Sequence, residues 1–212
     1  MKEYKLPIGC DVPETIILAD GDFPSHPLAL EWLRQCPYVV CCDGAANTYI
    51  RSGRMPEAIV GDGDSLLPDI KERYASLIHS EAEQETNDLS KAFRGFCLSQ
   101  ERKRITIMGA TGKREDHTIG NVSLLADYME QAEVSMMTDY GIFVPIREDS
   151  MFESYIGQQI SVFNMNSTAL SAEGLAYPLS VFTNWWQGTL NEALARHFII
   201  RTEGKVLVFR VF

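Results

Sequence analysis

The chain has 212 residues, 45% of them hydrophobic and 23% charged, with a formal net charge of -10. That is ordinary globular composition, with enough chain for a sizeable core in one or two domains. The acidic balance excludes a general nucleic-acid binder, because neutralising a phosphate backbone needs a basic face.

Any phosphate ligand must therefore be met locally, by a few cations or a metal, and a cationic small substrate would suit the overall field. No window offers about 18 consecutive apolar residues, and the opening "MKEYKLPIGCDVPE" lacks the apolar stretch of a secretory signal, so a cytoplasmic location is expected. Cys10, Cys36, Cys41, Cys42 and Cys97 are odd in number and contain no CxxC pair. They suggest neither a disulfide framework nor a thiolate zinc site, and are expected to be reduced and mostly buried.

In chain order, short β-branched runs alternate with amphipathic stretches. "TIILAD" at 15–20, "YVVCCD" at 38–43, "EAIVGD" at 57–62 and "RITIMG" at 104–109 read as strands. Between them "PLALEWLRQ" and "DLSKAFRGFCLSQ" read as helices, the second with Leu89, Phe93, Phe96 and Cys97 on one face. This alternation predicts a parallel α/β sheet. A further helix is capped by Asp116, begins near His117 and continues past Asn121, with Ile119, Val122, Leu125 and Met129 at helical spacing. From about Pro145 the texture changes. "YIGQQISVFNM", "AYPLSVF", "HFIIRTEG" and "KVLVFRVF" predict short strands of a small all-β domain. The expected division is 1–145 and 146–212, although "EVSMMTDYGIFVPI" could close the first part or open the second.

Polar groups follow each α/β strand: Asp20, Gly21 and Asp22; Asp43 and Asn47; Asp62, Asp64 and Ser65; then "MGATGKREDH". In open parallel sheets, ligands bind beyond the carboxyl ends of the strands, so these groups should converge. The pair Asp62 and Asp64 is unusual, since two carboxylates about 5 Å apart at an effective dielectric near 20 repel by about 3 kcal/mol. A solvated turn is the commoner meaning of such a motif taken alone. An EF-hand is excluded because Leu67 stands where the sharp turn needs glycine. A phosphoaspartyl motif of the haloacid-dehalogenase type would make Asp62 a nucleophile, but Leu66 stands where that motif wants Thr or Val.

In "QETNDLSKAF", Asp88 and Lys91 lie three apart on one helix face, with Thr86 and Asn87 as available N-caps. The pair is either a structural ion pair or a metal ligand beside a phosphate-binding lysine. "GATGKREDHTIGN", 109–121, offers glycines for close backbone approach and the cations Lys113 and Arg114. It is not a Walker A loop, because Arg114 follows the GK pair, and it lacks the GxGxxG dinucleotide spacing.

Taken together and in order, Cys41 to Asn47, Gly61 to Ser65, Gln84 to Ala92 and Gly109 to Asn121 resemble the successive blocks of thiamine pyrophosphokinases. Those blocks read approximately CxDGAAN, GDxDS, a Gln before TDFxKA, and GxxGGRxDHTxxN. "GLAYPL" at 174–179 and the Asn191–Glu192 pair resemble the family's thiamine-binding β domain. Departures are Gly63 for a bulky residue, Asn87 and Leu89 for Thr and Phe, Lys113 for a glycine, and Leu190 for a serine.

The resemblance implies an α/β ATP-binding domain followed by a β-sandwich, and a homodimer whose active sites use both subunits. It implies transfer of pyrophosphate from ATP to the thiamine hydroxyl, with Asp62, Asp64 and Asp88 holding Mg²⁺. Asp64, Asp88, Lys91, Arg114 and Asp116 would be catalytic; Asp43, Gln84, Gly109, Gly112, His117, Thr118 and Asn191 would bind ATP or thiamine. Either Asp64 or Asp88 could accept the hydroxyl proton. Trp185 and Trp186 offer aromatic faces to a thiazolium cation, or serve as packing. The alternatives are a phosphatase using Asp62 covalently and a non-enzymatic nucleotide- or thiamine-binding regulator.

Overall fold

A computed structural model describes residues 1–7, 11–80 and 86–212. Two compact units emerge. One comprises the chain up to Leu124 beyond the N-terminal strand, together with Gln131–Asp139; the other comprises that strand, Leu125–Glu130 and Tyr140–Phe212.

The first unit is the expected parallel α/β fold. Its strands are β2 (Thr15–Leu18), β3 (Val39–Cys42), β4 (Ala58–Val60), β5 (Ile78–His79), β6 (Arg104–Met108) and β7 (Glu133–Met137), laid side by side in the order β7-β6-β2-β3-β4-β5. All pairings are parallel. Buried on both faces, such strands carry continuous apolar runs instead of alternation; every residue of β2, β3 and β4 is buried. The chain steps outward from β2 to β5, then returns to add β6 on the other side of β2. The gap beyond the carboxyl ends of β2 and β6 is thus a topological switch point, where neighbouring loops diverge and leave a crevice.

Helix α1 (Pro27–Gln35) matches the predicted helix, with proline in its first turn and Ala29, Trp32 and Leu33 on its buried face. Its approach is fixed by Asp139, just past β7. The Asp139 carboxylate accepts hydrogen bonds from the Ser25 N–H at 2.9 Å, the His26 N–H at 3.0 Å and the Ser25 hydroxyl. Burial pushes this carboxyl up, but the Ser25 and His26 hydrogen bonds outweigh it and hold the group below the usual range. A depressed folded value means that the stabilisation is present above the unfolded carboxylate range near 3.9 and is lost as pH falls through the folded value. Because the group is partly exposed, Asp139→Ala is expected to cost about 1–2 kcal/mol at pH 7. Urea midpoints should show that gap closing as the pH is taken below the usual carboxylate range.

Helices α2 (Ala45–Arg51) and α3 (Pro68–Arg73) follow β3 and β4. The predicted helix from Asp88 is a short turn, α4 (Asp88–Ser90), that widens into a π-helix over Lys91–Cys97. Leu89, Phe93 and Cys97 are buried as expected, but Lys91 and Ala92 are buried with them. The turn that carries Lys91 closes as an α turn, its N–H donating to the Asn87 carbonyl at 3.1 Å, and the π winding follows it. Helix α5 spans Glu115–Tyr128. Asp116 therefore lies inside its first turn instead of capping it, and Ile119, expected on the inner face, is 58% exposed.

The second unit is sandwich-like. One sheet holds β12 (Asn191–Glu192), β10 (Gln159–Asn164), β14 (Val206–Val211) and β8 (Gly141–Ile146); the other holds β1 (Lys2–Tyr4), β9 (Ser150–Glu153), β13 (His197–Thr202) and β11 (Leu170–Glu173). Phe152 and Phe198 stack at 5.0 Å, and Tyr4 stacks on Phe152 at 4.8 Å. Buried Arg210 of β14 crosses to the opposite sheet, donating to the carbonyls of Glu153 and Lys5, each at 2.9 Å. Desolvation pulls its pKa down to about 10.

The ambiguous segment before Pro145 is divided: β7 belongs to the first unit, and β8 to the second, because β8 pairs antiparallel with β14 from Ile146↔Val206 to Gly141↔Val211. The expected strand "AYPLSVF" does not form. Pro178 has no N–H to give a ladder, and the Asn191 side chain takes that place by bonding both backbone groups of Tyr177.

Candidate active site

Because β2, β3, β4 and β6 run parallel, the residues that follow them gather at one edge of the sheet. β3 delivers Asp43, whose N–H donates to the Val60 carbonyl at 2.9 Å and whose Oδ2 accepts from the Ser65 N–H at 3.0 Å. Asn47 brackets the same turn, donating to the Ser65 carbonyl at 2.8 Å and accepting from Leu67 N–H at 3.0 Å. The motifs "CDGAAN" and "GDGDS" are thus two halves of one built loop. Within it, the Asp64 N–H donates to Asp62 Oδ1 at 3.0 Å, and Lys71 Nζ donates to the Gly63 carbonyl at 2.8 Å. Gly63 sits at φ +75°, in the left-handed region, with the Lys71 ammonium in the space a side chain would take.

Asp43 is the most constrained carboxylate in the unit. It is 5% exposed, it adopts φ +33° although it is not glycine, and its Oδ1 is buried without a hydrogen bond. Burial pushes its pKa up; the Ser65 hydrogen bonds oppose this, and the charges of Asp62 and Asp88 add to the rise. Asp43 therefore feels both of the other acids through space. Asp88 is half-buried and bonds Lys91 Nζ at 3.2 Å, while Asn87 caps the turn by accepting from the Ser90 N–H at 2.9 Å.

Next to this group lies a cavity of about 450 Å³ at the switch point. Asp20 and Gly21 after β2, Asp88, and Ala110 and Thr111 after β6 line it, with Arg114, His117 and Thr118 from the start of α5. Arg114 is paired with Asp116 at 2.6 Å, which holds the Asp116 carboxyl low. Gly112 sits at φ +98°, in the left-handed region, with the Asp22 side chain in the space a Cβ would take.

The structure thus brings Asp88, Arg114, His117 and Thr118 onto the cavity wall, with Lys91 and Asp116 bonded to members of that wall. The charges of Asp62 and Asp88 both act on Asp43, and Gly109 and Gly112 shape the loop without lining the cavity. Asp64 is exposed. Among the described residues no three His, Cys, Asp or Glu side chains form a closed metal-holding group, so Asp62, Asp64 and Asp88 are not assembled as one. Gln84 lies outside the described residues, as does Cys10. Asn191 is buried in the second unit with its amide committed to Tyr177, at 3.0 and 2.8 Å. Cys41, Cys42 and Cys97 are buried free thiols and Cys36 is half-buried.

Asp20, expected to converge with the other strand-end groups but given no role, lines the cavity too, as do Asn87 and Asn121, which did not figure among the expected site residues. Their signal was weak but present: Asp20 ends a strand, and the other two sit inside the motifs as apparent caps.

Comparison with known proteins agrees with this architecture. Residues 29–137 match the family described as thiamin pyrophosphokinase, catalytic domain, and residues 141–209 match thiamin pyrophosphokinase, substrate-binding domain. Thiamine pyrophosphokinase 1 of Oryza sativa subsp. japonica is 29% identical over 129 residues, covering 50% of this chain and 49% of that protein. Thiamine pyrophosphokinase 2 of Arabidopsis thaliana is 32% identical over 124 residues, covering 47% and 46%. The matched region therefore spans about half the length of these curated relatives.

In fold, the thiamin pyrophosphokinase from Candida albicans superposes with a TM-score of 0.80 at 18% identity over 100% of this chain and 93% of that one. The Bacillus subtilis thiamine pyrophosphokinase gives 0.77 at 20% identity, over 93% and 98%. No helix among the described residues is long and apolar enough to cross a membrane. With one model covering the α/β unit from α1 to β7 and the other covering β8 to β14, the chain belongs to the thiamin pyrophosphokinase family.

Proposed function

We propose that the protein transfers the pyrophosphoryl group of ATP to the hydroxyl of thiamine, releasing AMP. The observation that carries this reading is the buried Asp43 carboxylate with an unpartnered Oδ1, coupled to Asp62 and Asp88 beside a cavity that also presents Arg114 and Lys113. A cavity lined by both carboxylates and cations suits a metal-chelated polyphosphate.

The donor set fits Mg²⁺. An orphaned buried carboxylate oxygen and repelling carboxylates are what a hard cation satisfies, and Mg²⁺ takes only one or two carboxylates with waters and phosphate oxygens, so it needs no closed protein cage. One or two of Asp43, Asp62, Asp64 and Asp88 would hold it. When bound, the ion supplies charge neutralisation on the phosphate oxygens.

The chain's own groups position and polarise. Arg114 exchanges Asp116 for a phosphate oxygen, and Lys91, fixed by Asp88, offsets charge that builds as AMP departs. Asp64 or Asp88 accepts the thiamine hydroxyl proton as the new P–O bond forms and the bond between the α and β phosphates breaks. His117 and Thr118, on the first turn of α5, bind the nucleotide. By family likeness the working form is a cytoplasmic homodimer.

Incubation with ATP, Mg²⁺ and thiamine should yield AMP and thiamine diphosphate in equal amounts. Appearance of ADP and thiamine monophosphate, or of phosphate with a trapped phospho-Asp62, would overturn the reading. Neither the phosphatase nor the regulator reading is favoured, since both halves of the chain match pyrophosphokinase domains.

A further inference from the structure

The glycine loop after β6 would ordinarily receive an anion on its own backbone amides or on those of the facing loop. Here part of that capacity is already spent. The Gly21 N–H donates to the Gly109 carbonyl at 2.6 Å, and the Asp22 N–H donates to the Thr111 carbonyl at 2.8 Å. The loops after β2 and β6 are thereby laced together, and side-chain cations stand beside them at the cavity. Two cations are available, and both rest against carboxylates: Arg114 on Asp116 at 2.6 Å, and Lys113 on Asp20 at 3.1 Å.

The second pair spans the laced loops. Asp20 and Lys113 both line the cavity, and their side chains are 45% and 54% exposed, so the bond lies at its open side. Lys113 also stands where the family pattern has a glycine, so this chain carries an extra cation at the position.

We propose that Lys113 is a polyphosphate-binding residue and that Asp20 is its resting counter-ion, a positioning residue that is displaced when the polyphosphate enters. This rests on the reading of the cavity as a polyphosphate site. In an acidic chain, an unpaired ammonium there would attract any anion or neighbouring carboxylate; the Asp20 contact holds it in place at low cost, because a half-exposed ion pair is weak enough to exchange.

The test is calorimetric titration of inorganic tripolyphosphate, without metal or thiamine and at low ionic strength, into the full chain and three variants. Lys113→Gln should weaken binding about tenfold and flatten its salt dependence, and Lys113→Arg should restore most of it. Asp20→Asn should tighten binding about twofold to fivefold, and this gain should vanish in the double variant Asp20→Asn with Lys113→Gln. An equal gain with or without Lys113 would mean that Asp20 acts only as a general negative charge, and would overturn the pairing. Unchanged affinity in Lys113→Gln, or no tripolyphosphate binding by the unaltered chain, would overturn it as well. Absence of thiamine diphosphate synthesis together with the expected titrations would instead fault the proposed reaction and leave the Lys113–Asp20 exchange standing.

Discussion

Asp43→Asn is expected to reduce thiamine diphosphate formation by at least about a thousandfold while raising the melting temperature by ~3 °C. The two effects share one cause. The Asp43 carboxylate is buried, short of one hydrogen bond, and faced by Asp62 and Asp88, and burial first, then those charges, push its pKa up. For a carboxyl raised above its unfolded value, stability is fully present below the unfolded range and declines as pH rises through the folded value. At neutral pH the ionised side chain therefore costs stability.

Asparagine keeps the shape and the acceptor for the Ser65 N–H, and it removes the charge. Relief of about 1 kcal/mol corresponds to ~3 °C in a chain of this size. The same neutral amide is a poor partner for a hard cation, so transition-state charge stabilisation of about 4 kcal/mol is lost. Differential scanning calorimetry of the metal-free protein, with an AMP-release assay, measures both quantities. A variant that is active, or inactive only because it is unfolded, would remove Asp43 from the site.

Lys91→Met is expected to lower kcat by about a hundredfold to a thousandfold with a smaller change in KM for ATP. Lys91 is 8% exposed and bonded to Asp88 at 3.2 Å, at the point where the short α4 turn opens into the π-helix. A π segment is a common way to aim one side chain off the regular helical path at a functional site. Methionine preserves the stem and removes the charge, leaving the Asp88 carboxylate without its cation and the developing phosphate charge without an internal counter-charge. Lys91→Arg should rescue little, because a planar guanidinium does not fit the buried, single-point geometry of an ammonium. Steady-state kinetics with both variants decide it; a loss confined to KM would make Lys91 a binding group only.

Much of this was legible in the residues themselves. The runs from "TIILAD" to "RITIMG" are strands because continuous β-branched stretches can be buried only in a sheet covered on both faces. Pro27 and the apolar spacing of Ala29, Trp32 and Leu33 set the limits of α1 with no outside help. The order of the acidic and glycine blocks pointed to their common edge, since parallel strands deliver their C-terminal loops to the same side.

Other features depend on groups distant along the chain, and no local pattern encodes them. Lys2–Tyr4 becomes a strand only because Ser150–Phe152 offers it an unpaired edge. "AYPLSVF" has strand-like composition and stays irregular because Asn191 satisfies Tyr177 from fourteen residues away. The burial of Lys91, the exposure of Ile119 and the first-turn position of Asp116 are set by packing in space and by where α5 starts, which motif spacing does not report.

The sequence by itself determined the chemistry available: which acids, cations and glycines occur, in what order, and in which class of fold. Only the tertiary structure decided their pairing, because hydrogen bonding and charge coupling depend on separation in space. It set Asp43 apart as the orphaned carboxylate and tied Lys113 to Asp20 across 93 residues. It also set Asn191 against the backbone of Tyr177, leaving one of its two amide N–H donors uncommitted.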